Sequence, residues 1–332
     1  MDGNRAAIRL TLGDGTDLAD KVNPRHLSLT LTEKRGEAAD ELQLTLHNHD
    51  GRLAPVEPGA ILRLMMGWEK GADVAVGLVD KGRFKVDEVE ESGPPDIVTI
   101  RARAADLTGT YRDRRRHIWK DTTLGAILTE IAGRNDLNPR IHGDLASKEI
   151  AAIEQAGKSD MAFVRDLGRR YDAVATVKGG ALVFMPVGAD ATAGGSALPS
   201  SAITRRMGWT WRFAAQKRDE YDGAQAQYRD LDGGQNRTVG VGGANRKKLK
   251  RTYANEADAR AAAEGEASKR KRGAFTFEYD LALGDPALIP NGRVTLAGWN
   301  SRIDGIEWLI DEATHAIDGS GGLKTSIKLE SA

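Results

Sequence analysis

The chain has 332 residues, in which 48 lysines and arginines balance 48 aspartates and glutamates, and it contains no cysteine. The length predicts two or three domains, and a hydrophobic content of 40% is enough for buried cores. The zero net charge excludes a global basic field for nucleic acid or anionic membranes. The lack of cysteine excludes disulfides, thiolate zinc sites and cysteine nucleophiles. The N-terminal segment lacks the apolar core of a signal peptide, so we expect neither Sec export nor a membrane-spanning segment.

Residues 1–110 alternate between apolar and polar residues with period two. The polar residues between the apolar ones are typical of antiparallel strands with one buried face. Turn sequences rich in Gly, Asp and Pro separate the runs. We therefore predict a first β-barrel domain over residues 1–110. Its predicted buried positions include Leu27, Leu29, Leu31, Leu42, Leu44, Leu46, Phe84, Val86, Val98 and Ile100.

Residues 111–200 change to helical spacing and predict a small α+β module. The apolar residues recur at i, i+3, i+4 and i+7, as on one face of a helix. A low-complexity segment rich in Gly, Ala and Ser, residues 188–201, is the predicted linker that closes the module. The predicted elements are a helix capped by Asp121 or Thr122 and ending at Gly133, a second helix after Ser159-Asp160, and a hairpin over residues 173–177 and 182–184.

Residues 201–332 return to period-two alternation and predict a second β-barrel domain. The alternation includes Met207, Trp209, Trp211 and Phe213, which we expect on a buried face, and it recurs towards the C-terminus. One alanine-rich charged helix is predicted over residues 256–271, outside the barrel. A glycine-rich segment, residues 232–245, is predicted to be a mobile loop. The predicted fold class is thus mainly β with an α+β insert.

No motif in the sequence predicts catalysis, a cofactor or a metal. Gly157-Lys158-Ser159 has the end of a phosphate-binding loop, but Ala152 stands where the first glycine belongs. His47 and His49 form the beginning of a metal site without a third ligand. No nucleophile-elbow motif is present. We therefore assign no catalytic, cofactor-binding or metal-binding residue and expect a protein that is not an enzyme.

Three clusters concentrate basic charge on this neutral chain, at residues 112–117, 246–251 and 269–272. Such clusters can face phosphate, pair with an acidic partner, or lie in solvated loops, and these three alternatives remain open. Aromatic residues for base stacking are not interleaved with the clusters. This pattern does not favour binding of a specific nucleic acid.

Long ordered motifs lie in the C-terminal part of the chain. They are Arg251-Thr-Tyr253-Ala-Asn255, Leu281-Ala-Leu283-Gly284-Asp285-Pro286, Val294-Thr-Leu296-Ala-Gly298-Trp299, Trp308-Leu309-Ile310 and Thr314-His315. Further motifs lie in the middle zone, around Trp119 and from Gln155 to Phe163. Together these motifs resemble the late control gene D family of contractile-tailed phages.

The resemblance implies a trimeric baseplate hub with two barrel-like β domains, related to the hub part of VgrG. The hub would join the sixfold tail tube, or a tube-initiator protein, to a separate threefold spike. The tape measure and baseplate wedge proteins are further candidate partners, and no membrane anchoring is implied. Localisation would be the virion tail baseplate, after assembly in the host cytoplasm.

Two alternatives from other functional classes stay open on the sequence. A cell-wall-degrading baseplate enzyme would use a pair of carboxylates, and the chain is rich in carboxylates without a recognisable pair. A DNA-binding regulator of late genes would need local basic charge and a recognition helix, and the chain shows no helix-turn-helix pattern. The structural hub is the function that we expect.

Overall fold

The computed structural model describes residues 3–36, 39–54, 56–104, 109–191, 195–198, 200–215, 221–230, 233–318 and 322–332. The N-terminal part folds as predicted into strands whose alternate residues are buried. Its elements are β1 (Arg5–Leu12), α1 (Ala19–Val22), β2 (His26–Lys34), β3 (Glu41–His47), β4 (Ile61–Lys70), β5 (Gly77–Ser92) and β6 (Ile97–Ala104).

The middle part contains both helices and the hairpin that the sequence predicts. Its elements are β7 (Arg114–Thr123), α2 (Leu124–Gly133), β8 (Asn138–Ile141), α3 (Gly143–Ala146), β9 (Glu149–Ser159), α4 (Asp160–Tyr171), β10 (Ala173–Lys178) and β11 (Ala181–Pro186). The Ser159 hydroxyl caps α4 by accepting a hydrogen bond from the Ala162 N–H at 3.2 Å, which confirms that helix start. Thr123 caps α2 in the same way, one residue beyond the predicted position, because Thr122 and Thr123 belong to β7 and still pair with β9.

The C-terminal part is mainly β with one long helix. Its elements are β12 (Ser200–Thr204), β13 (Gly208–Ala215), β14 (Gly223–Asp230), β15 (Gln235–Gly242), β16 (Arg246–Tyr253), α5 (Glu256–Lys271), β17 (Phe275–Leu281), β18 (Arg293–Ala297), α6 (Ser301–Asp304), β19 (Glu307–Asp318) and β20 (Leu323–Ser331). The predicted helix over 256–271 is confirmed at both ends, and the mainly-β fold class is confirmed as well. No helix among the described residues has the length and apolar character needed to cross a membrane.

The glycine-rich segment 232–245 is not the predicted loop. Residues 235–242 form β15, which pairs antiparallel with β14 from Asp230↔Gln235 to Gly223↔Gly242. Val239 and Val241 pack into the core beneath α5 and anchor the strand. The sequence does not indicate this strand, because only Val239 and Val241 alternate as apolar residues and glycines lie beside them. Residue 232 lies outside the described residues.

The predicted linker has backbone contacts on both sides of the residues that the structure does not describe. The Leu198 N–H donates to the Asp190 carbonyl at 2.9 Å, and β12 already begins at Ser200. Residues 192–194 and 199 of this segment lie outside the described residues.

The chain divides into two compact units that do not coincide with the predicted boundaries. Unit 1 comprises residues 1–106, 199–213 and 277–329, and unit 2 comprises residues 107–198, 214–276 and 330–332. Residues 214–276, predicted within the second β domain, therefore belong with the α+β module. The reason is that β14, β15 and β16 form a separate sheet, and the helix α5 that covers this sheet packs against α4.

Unit 1 is organised around one sheet of 12 strands. The path runs β1-β4-β5-β6-β3-β2-β19-β20-β17-β13, while β18 pairs with β12 and β19. The N-terminal strands β1–β6 and the C-terminal strands thus meet where β2 pairs antiparallel with β19, from Glu312↔Lys34 to Asp318↔Ser28. The two predicted β zones share a continuous sheet in this unit.

Buried charged and polar side chains lie at this junction. Lys81 on β5 contacts Glu33 on β2 at 2.5 Å, and both side chains are only 1% exposed. His315 on β19 lies 3.2 Å from the Lys81 ammonium and 3.3 Å from the Glu33 carboxylate. Its other ring nitrogen lies 2.9 Å from the Thr325 hydroxyl on β20. Buried ions are costly without partners, so these contacts fix the positions of four strands relative to one another.

Two of the separate sheets in unit 2 are packed against helices. In one, α2 and α4 pack with β8, β10 and β11 around an apolar core. In the other, α5 covers β14, β15 and β16. A buried ion pair joins α4 to α5, since Arg170 lies 2.9 Å from Asp258 and the side chains are 8% and 2% exposed. Gly265 permits this close approach, because a Cβ there would lie 2.6 Å from the Arg170 carbonyl oxygen.

The burial of His315 predicts a pH-dependent stability. Burial lowers the pKa of His315, and the Lys81 ammonium lowers it further, against the opposing effect of Glu33. Below pH about 6.5 the unfolded chain gains a proton here that the folded chain does not take up. Stability therefore falls by up to about 1.4 kcal/mol per pH unit until the pKa of the folded state is reached.

Thermal unfolding of the full chain between pH 7.5 and 5.5 measures this effect. We expect His315→Asn to be less stable at pH 7.5 but to lose less stability on acidification than the natural chain. The exposed His49, in the turn after β3, supplies the control as His49→Gln. An unchanged pH dependence in His315→Asn contradicts the prediction.

Candidate interaction surface

Strand β13 lies at one end of the large sheet and is held tightly to β17. Gly208 makes this approach possible, because a Cβ at that position would lie 1.9 Å from the Asp280 carbonyl oxygen. The Met207 carbonyl accepts a hydrogen bond from the Ala282 N–H at 2.9 Å. The Tyr279 hydroxyl donates to the Arg205 carbonyl at 2.9 Å and so fixes the turn before the strand. The start of β13 is thus rigidly placed.

Large apolar side chains stand exposed on this rigid strand. Trp209 is 62% exposed, and no ring or cation–π contact is found for it among the described residues. Trp211 stacks on the buried Phe277 with ring centroids 6.0 Å apart, yet part of its ring remains accessible. We call this surface the aromatic edge, and its residues are Met207, Trp209, Trp211 and Leu283.

The aromatic edge has the properties of a protein–protein interface. Residues 209–212 of β13 are exposed on both faces of the strand. The path of the described sheet ends at β13, so one backbone edge of this strand is available to a neighbour. Tryptophan and methionine are enriched in interfaces, where large rings supply much of the binding energy. The arrangement can bind another protein surface, and its residues are not those of a catalytic site.

The burial that the sequence pattern predicts for the residues of β13 is wrong. The alternation of Met207, Trp209 and Trp211 predicts a buried face, whereas the structure leaves all three exposed. Alternation identifies residues that share a face of a strand, but it carries no information about what covers that face. The position of β13 at the end of the sheet follows from pairings with distant strands.

The Gly157-Lys158-Ser159 segment forms the end of β9 and the start of α4. Lys158 forms an ion pair with Asp166, and Ser159 caps α4. Gly157 has a left-handed φ of 66°, in a bend of β9. Each of these three residues therefore has a structural role within the α+β module.

The two histidines of β3 and the following turn lie together. His47 Nδ1 and His49 Nδ1 are 3.0 Å apart, and His47 Nε2 contacts the Pro24 carbonyl at 3.1 Å. Asp50 pairs with Arg25 through both carboxylate oxygens, at 2.6 and 2.7 Å. The side-chain hydrogen bond from Arg25 holds the pKa of Asp50 well below its usual range. Within the described ranges, no group of three or more metal-ligating side chains is found.

The basic clusters contain cations with a carboxylate partner and cations for which the described residues supply none. In the first cluster, Arg115 lies 3.8 Å from the buried Asp160. In the third, Arg270 pairs with Glu266 at 3.0 Å and Arg272 pairs with Asp172. The second cluster forms β16, where Lys247 pairs with Glu266 at 2.8 Å. These contacts account for only part of the basic charge.

Comparison with known proteins identifies the family. Residues 41–321 match the family described as "Phage tail baseplate hub (GPD)". The chain belongs to the phage tail baseplate hub family. A relative in Escherichia phage 186, named "Probable baseplate hub protein", is 33% identical over 97% of this chain and 93% of its own length. The predicted resemblance is confirmed, and the structural hub role is supported over a wall-degrading enzyme or a late-gene regulator.

Solved structures share the fold at low sequence identity. The prophage MuSo2 43 kDa tail protein from Shewanella oneidensis has a TM-score of 0.66 and 17% identity, over 98% of both chains. An Escherichia coli component of the type VI secretion system, described as similar to T4 bacteriophage tail proteins gp27 and gp5, has a TM-score of 0.55 and 12% identity. That match covers 98% of this chain and 76% of the other. The hub fold is therefore shared with tail and secretion proteins.

The exposure of Trp209 predicts that it contributes little to the stability of the isolated chain. We expect Trp209→Ser to change the free energy of unfolding by less than about 0.5 kcal/mol. Trp308, which is fully buried, is the matched control, and Trp308→Ala should cost about 3–5 kcal/mol. Urea unfolding of the two variants measures the difference, and a similar loss in both means that Trp209 is packed in solution.

Proposed function

We propose that this hub is a trimeric adaptor that joins the sixfold tail tube to the threefold central spike and has no enzymatic activity of its own. The observation that carries the proposal is the family match over residues 41–321. The relatives bear hub names, which favours a structural rather than an enzymatic role. The spike, the tube or a tube-initiator protein, the tape measure and the baseplate wedge are the proposed partners. The proposed site of assembly is the host cytoplasm.

The composition of the large sheet supports the proposed symmetry match. Of its 12 strands in the described chain, β1–β6 come from the N-terminal zone and the other half from the C-terminal zone. A sixfold tube ring offers six like surfaces, while three chains with two β lobes each also supply six. We propose that the two zones are barrel-like lobes in quasi-equivalent positions around the channel.

The aromatic edge is the proposed contact between neighbouring hub subunits. A closed ring of three is built from heterologous contacts, in which one surface of a chain meets a different surface of the next. An exposed, rigid strand with two tryptophans suits the centre of such an interface. Coverage by a neighbouring subunit would account for apolar side chains that the chain alone leaves in contact with water.

The oligomeric mass of the full chain, alone and with the spike protein, tests the proposal. We expect a trimer in at least one of the two samples. Trp209→Glu places a charge in the proposed interface and should abolish the trimer. Val76→Glu changes an equally exposed residue, 61% against 62%, and should leave the trimer intact.

Two outcomes contradict the trimeric adaptor with two lobes per subunit, and a third contradicts the assignment of the aromatic edge alone. A stable hexamer of this chain removes the need for two lobes per subunit. A chain that stays monomeric with and without the spike excludes the trimeric role. A trimer that survives Trp209→Glu excludes the aromatic edge from the contact while leaving the adaptor role in place.

A further inference from the structure

The outer face of the sheet formed by β14, β15 and β16 is cationic and lies opposite α5. Alternate residues of these strands, including Ala224, Ala226 and Val239, pack beneath α5. The residues between them on β14 and β15, like Arg246 and Lys248 on β16, point to the other face, because successive side chains of a strand alternate. Lys250 lies where two extra residues of β16 interrupt its pairing with β14, and it is exposed beside them. We call the cations of this face the cationic stripe, and they are Arg229, Arg246, Lys248 and Lys250.

The charge on this face is not neutralised within the described chain. Lys248, Lys250 and Arg229 are exposed, and no carboxylate partner is found for them among the described residues. The acidic residue of β14, Asp230, alternates onto the opposite face and pairs with Arg237 at 2.8 Å. Four cations with no carboxylate partner in the described part of the chain form a local positive field on a chain of zero net charge.

Arg246 is held flat on this face. Its guanidinium donates to the Gly242 carbonyl at 3.2 Å. A Cβ on Gly240 would lie 2.6 Å from that guanidinium, so the glycine leaves the space that the arginine occupies. The remaining residues of the face are the half-buried amides Gln225 and Gln227 and the exposed Asn236, Thr238 and Thr252. The face is therefore flat, polar and free of large apolar side chains.

The dimensions of the stripe favour an extended protein segment over duplex DNA. It runs along two adjacent strands, from the level of Gly223↔Arg246 to Arg229, which is six residues or about 20 Å. Its width is about one strand spacing, roughly 5 Å. A specific duplex interface usually buries at least about 1,000 Å² of protein surface, and this narrow stripe carries no aromatic residue for stacking on single strands.

We propose that the cationic stripe binds an extended acidic segment of a partner protein, with carboxylates of the segment on Lys248, Lys250, Arg246 and Arg229. An extended segment presents every second side chain on one face, at the same spacing as Arg246 and Lys248 on β16. The amides of Gln225 and Gln227 lie between the cations and can hydrogen-bond to the same segment. This inference does not depend on the trimeric role proposed above.

Fluorescence anisotropy with a labelled eight-residue peptide of alternating glutamate and threonine tests the proposal on the full chain. A peptide with glutamine in place of glutamate and a 20-base-pair DNA duplex are the comparison probes. We expect saturable binding of the acidic peptide that weakens with salt, and weak or no binding of the neutral peptide. The double variant Lys248→Gln/Lys250→Gln should lower the affinity about tenfold.

The matched control removes the same charge from another basic cluster. Lys269→Gln/Lys271→Gln alters two exposed lysines of α5 and should change the affinity by less than about twofold. Equal losses in both double variants indicate unspecific charge attraction and overturn the proposal. The absence of saturable peptide binding also overturns it and identifies the stripe as a solvated face. Duplex binding that is lost in the β16 variant, without peptide binding, assigns the stripe to nucleic acid instead.

Discussion

The pairing of β2 with β19 is the contact on which unit 1 depends. It joins residues 282 positions apart, such as Thr32 and Thr314, and connects the N-terminal strands to the C-terminal ones. Glu33 and His315 lie on these two strands, next to Lys81. A slip of one residue would turn His315 to the other face of the sheet and leave buried charges without their partners, so the charges fix the register.

The same principle acts on a smaller scale in unit 2. Arg170 and Asp258 are buried together between α4 and α5, and Gly265 lets the helices approach. Separating the helices would break this ion pair and leave each charge without its oppositely charged partner. Both units therefore use a few buried ions to select one arrangement among several that apolar packing would tolerate.

The proposed functions of this hub lie on surfaces that its own folding leaves uncovered. The aromatic edge is apolar and rigid, and the cationic stripe is charged and flat. These properties suit different partners: one surface is stabilised by removal from water, and the other by opposite charge. An adaptor that must bind several proteins at once needs separate surfaces with such different chemistry.

The sequence by itself determined the local elements, since α4 and α5 follow from their caps and spacing, and it also determined the family. It did not determine that β14–β16 form a separate sheet beneath α5, because the two-residue alternation of apolar side chains is the same in any sheet. Nor did it separate the buried Trp308 from the exposed Trp209, or Lys247, which pairs with Glu266, from Lys248 beside it. These assignments depend on which strands become neighbours across long stretches of chain. Only the tertiary structure decides that, because local hydrophobic patterning specifies a face but not what covers it.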